Sequence, residues 1–89
     1  MATSEVTVGA SDTSVLAENP NRKFALFIND SDSVIDLDFG TAAVLGDGVR
    51  LNPSGGAYEM SDLLGNLDRR SVRAISGGAS KQLRVVEYP

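Results

Sequence analysis

The densest group of side chains that could do chemistry consists of four aspartates, Asp30, Asp32, Asp36 and Asp38. The first two fall in a polar turn. The last two stand two residues apart on a predicted strand, so their side chains point to one face. Carboxylate oxygens are the ligands that a hard cation such as Ca²⁺ prefers, but the spacing lacks the glycine and the distal glutamate of an EF-hand loop. Acidic side chains that face solvent from a half-exposed strand fit the same pattern, so we predict no metal site.

Two neighbouring carboxylates could also hydrolyse a glycosidic bond. That reaction needs a cleft with aromatic side chains that hold the sugar, and this chain has three phenylalanines and two tyrosines. The phenylalanines all occupy core-like strand positions. Histidine and cysteine are absent, which excludes Ser-His-Asp and Cys-His catalysis, thiolate metal sites and disulfide bonds within the chain. We therefore predict no enzymatic activity, no catalytic residue and no cofactor.

Three glycine-rich segments, at residues 46–48, 55–56 and 77–78, superficially resemble phosphate-binding loops. A phosphate-binding loop needs a following helix whose N-terminus faces the phosphate. Each of these segments precedes an extended run instead, so we interpret all three as turns.

A basic cluster of Arg69, Arg70 and Arg73 follows the middle of the chain, and Arg84 lies on a strand that we predict to be its neighbour. Arginine pairs in a bidentate manner with carboxylates and is enriched at protein interfaces. The cluster therefore indicates either a solvated strand face or a protein interface.

The charges are segregated along the chain. Residues 1–48 contain eight acidic and two basic side chains, and residues 49–89 contain four acidic and six basic side chains. The net charge of −4 argues against nucleic-acid binding. The segregation permits contacts between copies, with the arginine cluster of one copy against Asp36 and Asp38 of another. A solvated surface with chance clustering is the alternative.

The elements that must position these side chains centre on residues 23–39, KFALFINDSDSVIDLDF. A short apolar run, FALFI, is typical of a buried strand, and the alternation in VIDLDF is typical of a strand with one solvated face. The polar residues between them have the length of a hairpin loop. We therefore predict a β-hairpin with one fully covered strand and one strand that faces water on one side.

The whole chain shows seven or eight short strands with turns every 8–12 residues and no sustained helical period, which indicates an all-β protein. We predict a small antiparallel β-sandwich that is jelly-roll-like. Residues 1–12 form an N-terminal arm or edge strand, and residues 13–89 form the single sandwich domain. At most one short helical turn is expected near residues 61–68, with its leucines tucked under the sandwich. No apolar run is long enough to span a bilayer, and the N-terminus lacks a signal-peptide pattern.

A series of strand and turn motifs runs from residue 15 to residue 88. The motifs are NPNRK before an apolar strand ending in Asn29, DFG at 38–40, NPSGG at 52–56, ISGG at 75–78 and VVE at 85–87. This order resembles that of small β-sandwich virion proteins of tailed bacteriophages. Where the family has the turn PGG, this chain has PSGG, one residue longer, and its segment 61–68 is also longer.

The resemblance implies a structural role on the virus particle and no catalytic residues. It points first to a capsid decoration (cement) protein that is made in the host cytoplasm, binds the major capsid protein on the outer surface and stabilises the capsid. Such a protein is expected to be a homo-oligomer, a dimer or trimer, without a nucleic-acid or membrane partner. Two alternatives stay open. One is a receptor-binding or carbohydrate-binding module of a phage fibre or tail, for which Tyr58 and Tyr88 are the available aromatics. The other is a cellular β-sandwich interaction domain.

Overall fold

Eight antiparallel strands form two four-stranded sheets in the computed structural model, which describes residues 2–89. The strands are β1 (Ala2–Val8), β2 (Thr13–Leu16), β3 (Phe24–Asn29), β4 (Ile35–Phe39), β5 (Val49–Leu51), β6 (Ala57–Ser61), β7 (Val72–Ser76) and β8 (Lys81–Tyr88). The front sheet has the order β1-β8-β3-β6, and the back sheet has the order β2-β7-β4-β5. These two orders together are those of a jelly roll. The prediction of a small antiparallel β-sandwich is confirmed.

The predicted hairpin over residues 23–39 is wrong. Strand β3 pairs with β6 and β8 in the front sheet, whereas β4 pairs with β5 and β7 in the back sheet. Residues 30–34 therefore cross from one sheet to the other. A crossing loop of this length has the same polar composition as a hairpin loop, so the local pattern does not distinguish the two. Strands β7 and β8 are likewise in different sheets, and Arg84 is not on a strand that neighbours the arginine cluster.

Strand β3 is covered on one face only, which corrects the expectation that it is buried on both. Ala25 and Phe27 have no exposed area, whereas the alternate side chains of Phe24, Leu26 and Ile28 are half-buried. Since successive side chains of a strand point to opposite faces, the last three lie on the outer face of the front sheet.

The core lies between the two sheets and is built from apolar side chains at alternate positions of the strands. Phe27, Ile35, Leu37, Met60 and Leu83 are fully buried there. The sequence predicted seven side chains of residues 23–39 at this centre: Phe24, Leu26, Phe27, Ile28, Ile35, Leu37 and Phe39. The structure confirms Phe27, Ile35 and Leu37, and Phe39 packs against them. The prediction is wrong for the other three, which lie on the outer face of β3.

The segment at residues 61–68 forms a single tight turn, as predicted, in which the Gly65 N–H donates to the Ser61 carbonyl at 3.1 Å. The prediction that its leucines are tucked under the sandwich is wrong for two of them. Leu63 is 95% exposed and Leu64 is 59% exposed, and Leu67 alone packs against the core. The turn is held by hydrogen bonds and not by burial of these leucines, because the Leu64 N–H also donates to the Ser61 hydroxyl oxygen at 3.1 Å.

Strand β1 lies at the edge of the front sheet and pairs with β8 from Ala2 opposite Glu87 to Val8 opposite Lys81. Met1, the first residue of the predicted arm, lies outside the described residues. Across residues 2–89 no helix is long and apolar enough to span a membrane.

The alternation along β3 predicts unequal effects of two neighbouring truncations. Phe27→Ala should lower the free energy of unfolding by about 3–5 kcal/mol, because it leaves a cavity between the sheets. Leu26→Ala should cost about 1 kcal/mol, since that side chain is half-exposed on the outer face. Urea denaturation followed by circular dichroism at low protein concentration measures both. Equal losses would contradict the assignment of the two faces.

Candidate functional site

The side chain of Arg22 is fully buried at one end of the sandwich. Its Nε donates to Glu87 Oε2 at 2.7 Å, and its Nη2 donates to the Ala17 carbonyl at 2.8 Å. Its Nη1 donates to the carbonyls of Asp68 at 2.8 Å and Arg70 at 2.9 Å. One guanidinium therefore joins the β2–β3 loop, the β6–β7 loop and the end of β8.

This arginine is paired with a carboxylate that has its own second partner. Asn19 Nδ2 donates to Glu87 Oε2 at 3.2 Å, and the Asn19 backbone N–H donates to the Arg69 carbonyl at 2.9 Å. A buried charge that is paired and fully hydrogen-bonded avoids the large cost of an isolated one. This role of Arg22 was not predicted from the sequence. The available signal was a cation in the NPNR turn directly before the most apolar strand.

The opposite end of the sandwich is held by Asn29, which is also fully buried. Its Nδ2 donates to the Ser33 carbonyl at 2.8 Å and to the Leu51 carbonyl at 2.9 Å. Its own carbonyl accepts from the Gly55 N–H at 2.8 Å. Asn29 therefore fixes the β3–β4 and β5–β6 loops, as Arg22 fixes the loops at the other end.

Asp36 and Asp38 do not face solvent, which corrects the sequence-based interpretation. They are 3% and 7% exposed. The loop of residues 40–48 folds over the outer face of the back sheet and donates backbone N–H groups to them, from Gly46 to Asp36 Oδ2 at 2.8 Å and from Val44 to Asp38 Oδ2 at 3.1 Å. In this conformation neither carboxylate is accessible to a second copy, so the predicted contact with the arginine cluster has no acidic surface to use.

Close packing of this loop depends on Gly48. Its φ is +68°, and a Cβ there would lie 2.0 Å from the Leu37 carbonyl oxygen. The left-handed conformation and the close approach both require glycine. The Gly46–Gly48 segment is therefore a covering loop for the strand that carries the two aspartates.

The other two aspartates of the acidic group form separate ion pairs. Asp30 Oδ2 accepts from Arg84 Nε at 2.9 Å, and Asp32 Oδ1 accepts from Lys81 Nζ at 2.6 Å. The four aspartates thus do not converge. In the part of the chain that the structure describes, no cluster of three or more acidic groups could hold a metal ion.

Each member of the arginine cluster pairs with an aspartate of its own chain: Arg69 with Asp62 at 3.4 Å, Arg70 with Asp68 at 2.7 Å and Arg73 with Asp12 at 2.5 Å. Arg69 and Arg70 together line a shallow depression of about 260 Å³ with Glu18 and Pro20. Arg73 lies apart from it, on β7. The structure thus divides the cluster into two, and its use as a protein interface stays a prediction.

The segregation of charge along the sequence is matched by pairing within the molecule. Within residues 2–89, five ion pairs join the two halves of the chain: Arg22–Glu87, Arg73–Asp12, Lys81–Asp32, Arg84–Glu5 and Arg84–Asp30. The cause is topological, because β8 pairs with both β1 and β3. Much of the charge that suggested contacts between copies is therefore used inside one copy.

These contacts lower the pKa of three carboxyl groups below the ordinary value of 3.8. Hydrogen bonds from the partner side chain are the main cause in each case: from Arg73 for the pKa of Asp12, from Lys81 for that of Asp32 and from Arg70 for that of Asp68. All three groups are thus held in the charged form by their cations.

The two tyrosines do not form a common surface for a sugar. Tyr58 points into the sandwich, where its ring lies 6.0 Å from that of Phe39 and its hydroxyl oxygen accepts from Asn66 at 3.4 Å. Tyr88 lies on the outer face of the front sheet, edge-to-face against Phe24 at 5.4 Å. The aromatic pair that the carbohydrate-binding alternative requires is therefore split between opposite faces.

Three apolar surfaces lie on the outside of the described residues, and one of them is Val44 with Leu45 on the loop of residues 40–48. The front-face cluster consists of Phe24, Leu26, Ile28, Val86 and Tyr88, which lie on the adjacent central strands β3 and β8. The second surface is the Leu63–Leu64 turn. Sequence reasoning assigned most of these residues to the core because an apolar run does not show which of its side chains point outward.

Comparison of the chain with family models, with curated proteins and with solved structures finds no match.

The buried guanidinium predicts a large loss of stability on truncation. Arg22→Ala should lower the free energy of unfolding by about 3–5 kcal/mol, because it removes a fully buried guanidinium, leaves Glu87 without its cation and leaves three part-buried carbonyls without this donor. Arg50→Ala, at an exposed position, should change it by less than about 0.5 kcal/mol. Chemical denaturation measures both variants. A loss at Arg22 no larger than the loss at Arg50 would show that the guanidinium does not hold the loops.

The depressed carboxyl pKa values predict acid sensitivity. A group whose pKa is lower in the folded state contributes stability above its unfolded value of 3.8 and loses that contribution as pH falls through the folded pKa. The thermal midpoint should therefore fall as pH drops from about 5 to about 2. Asp12→Asn should reduce this dependence because the Arg73–Asp12 pair no longer titrates. An unchanged pH profile for the variant would contradict a stabilising role for this pair.

Proposed function

We propose that this chain is a structural virion protein, a decoration protein that binds the outer surface of a tailed-phage capsid and stabilises it. The resemblance of its motifs to small β-sandwich virion proteins supports the proposal. The jelly-roll strand order is compatible with it, since this architecture occurs among viral capsid proteins, although lectins and cupins share it. Because a fold alone does not define a function, the proposal depends on the surface that the fold presents.

The Leu63–Leu64 turn is the observation that carries the proposal. An aliphatic side chain that is 95% exposed gains a large apolar contact when a partner covers it. The turn is held from below by polar contacts: Ser61 N–H donates to Asn66 Oδ1 at 3.0 Å, and Asn66 Nδ2 donates to the Glu59 carbonyl at 2.9 Å. A contact residue on a preorganised turn loses little conformational entropy on binding.

Binding to the capsid would proceed by insertion of this turn into an apolar depression of the capsid subunit. Full burial of one leucine side chain contributes about 1.5–3 kcal/mol. A ligand that binds only the assembled capsid stabilises it by mass action, and many copies on one particle act together. The edge strand β1 offers a second contact, because a strand of a capsid subunit can pair with its open edge.

Removal of the leucine side chain should abolish the stabilisation of the particle. Capsids of the encoding phage prepared without the chain should rupture at a lower temperature than complete capsids, and added wild-type protein should restore the difference. Leu63→Ser should bind about tenfold or more weakly and restore less. Val44→Ser is the matched control, since Val44 is also an exposed aliphatic residue, at 57%, on a different loop.

Equal rupture temperatures with and without the chain would contradict the decoration role. Full restoration by Leu63→Ser would instead show that another surface makes the contact. Calorimetry of the particles measures the rupture temperature, and co-sedimentation measures the binding of each variant.

A further inference from the structure

We infer that the outer face of the front sheet is the interface of a two-fold symmetric dimer of this chain. This inference is independent of the capsid proposal, because it concerns the isolated protein. The two outer faces of the sandwich differ in what covers them. In the back sheet the outer face of the central strand β4 is covered by the loop of residues 40–48, which donates hydrogen bonds to Asp36 and Asp38. The front sheet instead presents the front-face cluster on its two central strands.

Such a cluster is unusual for a sheet face in contact with water. An antiparallel sheet with one solvated face ordinarily alternates apolar residues inside with polar residues outside. Strand β3 does not follow that pattern, since Phe24, Leu26 and Ile28 all point outward while Ala25 and Phe27 fill the core. If a partner covers this face, the outward-pointing apolar side chains of β3 are buried like those of the inner face.

The register of the two central strands makes the face complementary to itself. Phe24 lies opposite Tyr88, Leu26 opposite Val86, and Ile28 opposite Arg84. Consider a two-fold axis that lies above the outer face of the front sheet, runs parallel to the strands and passes over the line midway between β3 and β8. This axis places each β3 against the β8 of the partner, row by row. Phe24 then faces a second tyrosine ring, Leu26 faces a second valine, and Ile28 packs on the aliphatic stem of an arginine.

The charges on this face are compatible with pairing. The Arg84 guanidinium already binds Asp30 at 2.9 Å and Glu5 at 3.7 Å within its own chain, so it stays paired when a partner covers it. Glu59 and Thr3 flank the Leu26–Val86 row at its two ends. The same symmetry brings the Glu59 carboxylate to the threonine hydroxyl of the other copy, which can donate a hydrogen bond to it.

The size of the face sets the expected strength. Four strands about 4.8 Å apart and about seven residues long give a footprint of about 19 by 23 Å, or about 440 Å². A standard interface buries about 800 Å² of accessible surface on each partner. The footprint is about half the standard size, so the dimer should be weak and concentration-dependent.

Sedimentation equilibrium of the isolated protein between about 1 µM and about 1 mM tests the inference. The wild-type protein should change from monomer to dimer over this range. Leu26→Lys should weaken the dimer by about 100-fold or more, because it places an ammonium group at the centre of an apolar interface. Its monomer should stay folded, since the new side chain lies opposite Glu59 in the same sheet. Leu63→Lys is the matched control, because it makes the same change outside the face and should leave dimerisation unchanged.

Salt separates this interface from one made by the arginine cluster. The apolar dimer should persist at about 1 M NaCl, whereas a dimer held by exposed charges should dissociate. Circular dichroism checks that each variant is folded; if Leu26→Lys is not, Val86→Thr supplies the test, since it adds a hydroxyl to the same row at nearly constant volume. A wild-type protein that is monomeric throughout, a folded front-face variant that dimerises like the wild type, or a dimer lost in salt would each overturn the inference.

Discussion

The hydrogen bonds of the buried Arg22 guanidinium hold the β2–β3 loop and the β6–β7 loop together at one end of the sandwich. Those loops cross between the sheets, and three of their backbone carbonyls point at the Arg22 guanidinium. Arg22 supplies donors to these three carbonyls and takes its counter-charge from Glu87 on β8. In residues 2–89 every buried side-chain polar atom has a hydrogen-bond partner. The apolar core can close between the sheets because its polar ends are satisfied in this way.

Arg22 and Asn29 fix the loops at the two ends of the sandwich. The two outer faces of the sandwich differ from each other in what covers them. In the back sheet, the loop of residues 40–48 covers Asp36 and Asp38, and Gly48 permits that loop to lie against β4. The front sheet keeps an apolar face, and the β6–β7 turn keeps two exposed leucines. These two apolar surfaces are distinct: the sheet face is the one that we propose for a second copy, and the turn is the one that we propose for the capsid. The two contacts that we propose therefore use different parts of the chain.

Local patterns in the sequence predicted the all-β class, the number of strands and the single turn near Ser61, because strand period and turn residues are local properties. They did not predict which sheet each strand joins. The polar residues 30–34 read as a hairpin loop, yet they carry the chain from the front sheet to the back sheet. The burial of Asp36 was also missed, since the loop that covers it approaches only after folding. Likewise, the role of Arg22 depends on carbonyls that lie more than forty residues away along the chain.

The central claim of this account is that the front-face cluster is a contact surface between copies. Carbene footprinting of the wild-type protein at increasing concentration tests it residue by residue. The account predicts that labelling of Phe24, Leu26 and Val86 falls as the concentration rises, while labelling of Leu63 stays constant. Constant labelling of the front-face residues at every concentration, or protection of Leu63 in their place, would contradict it.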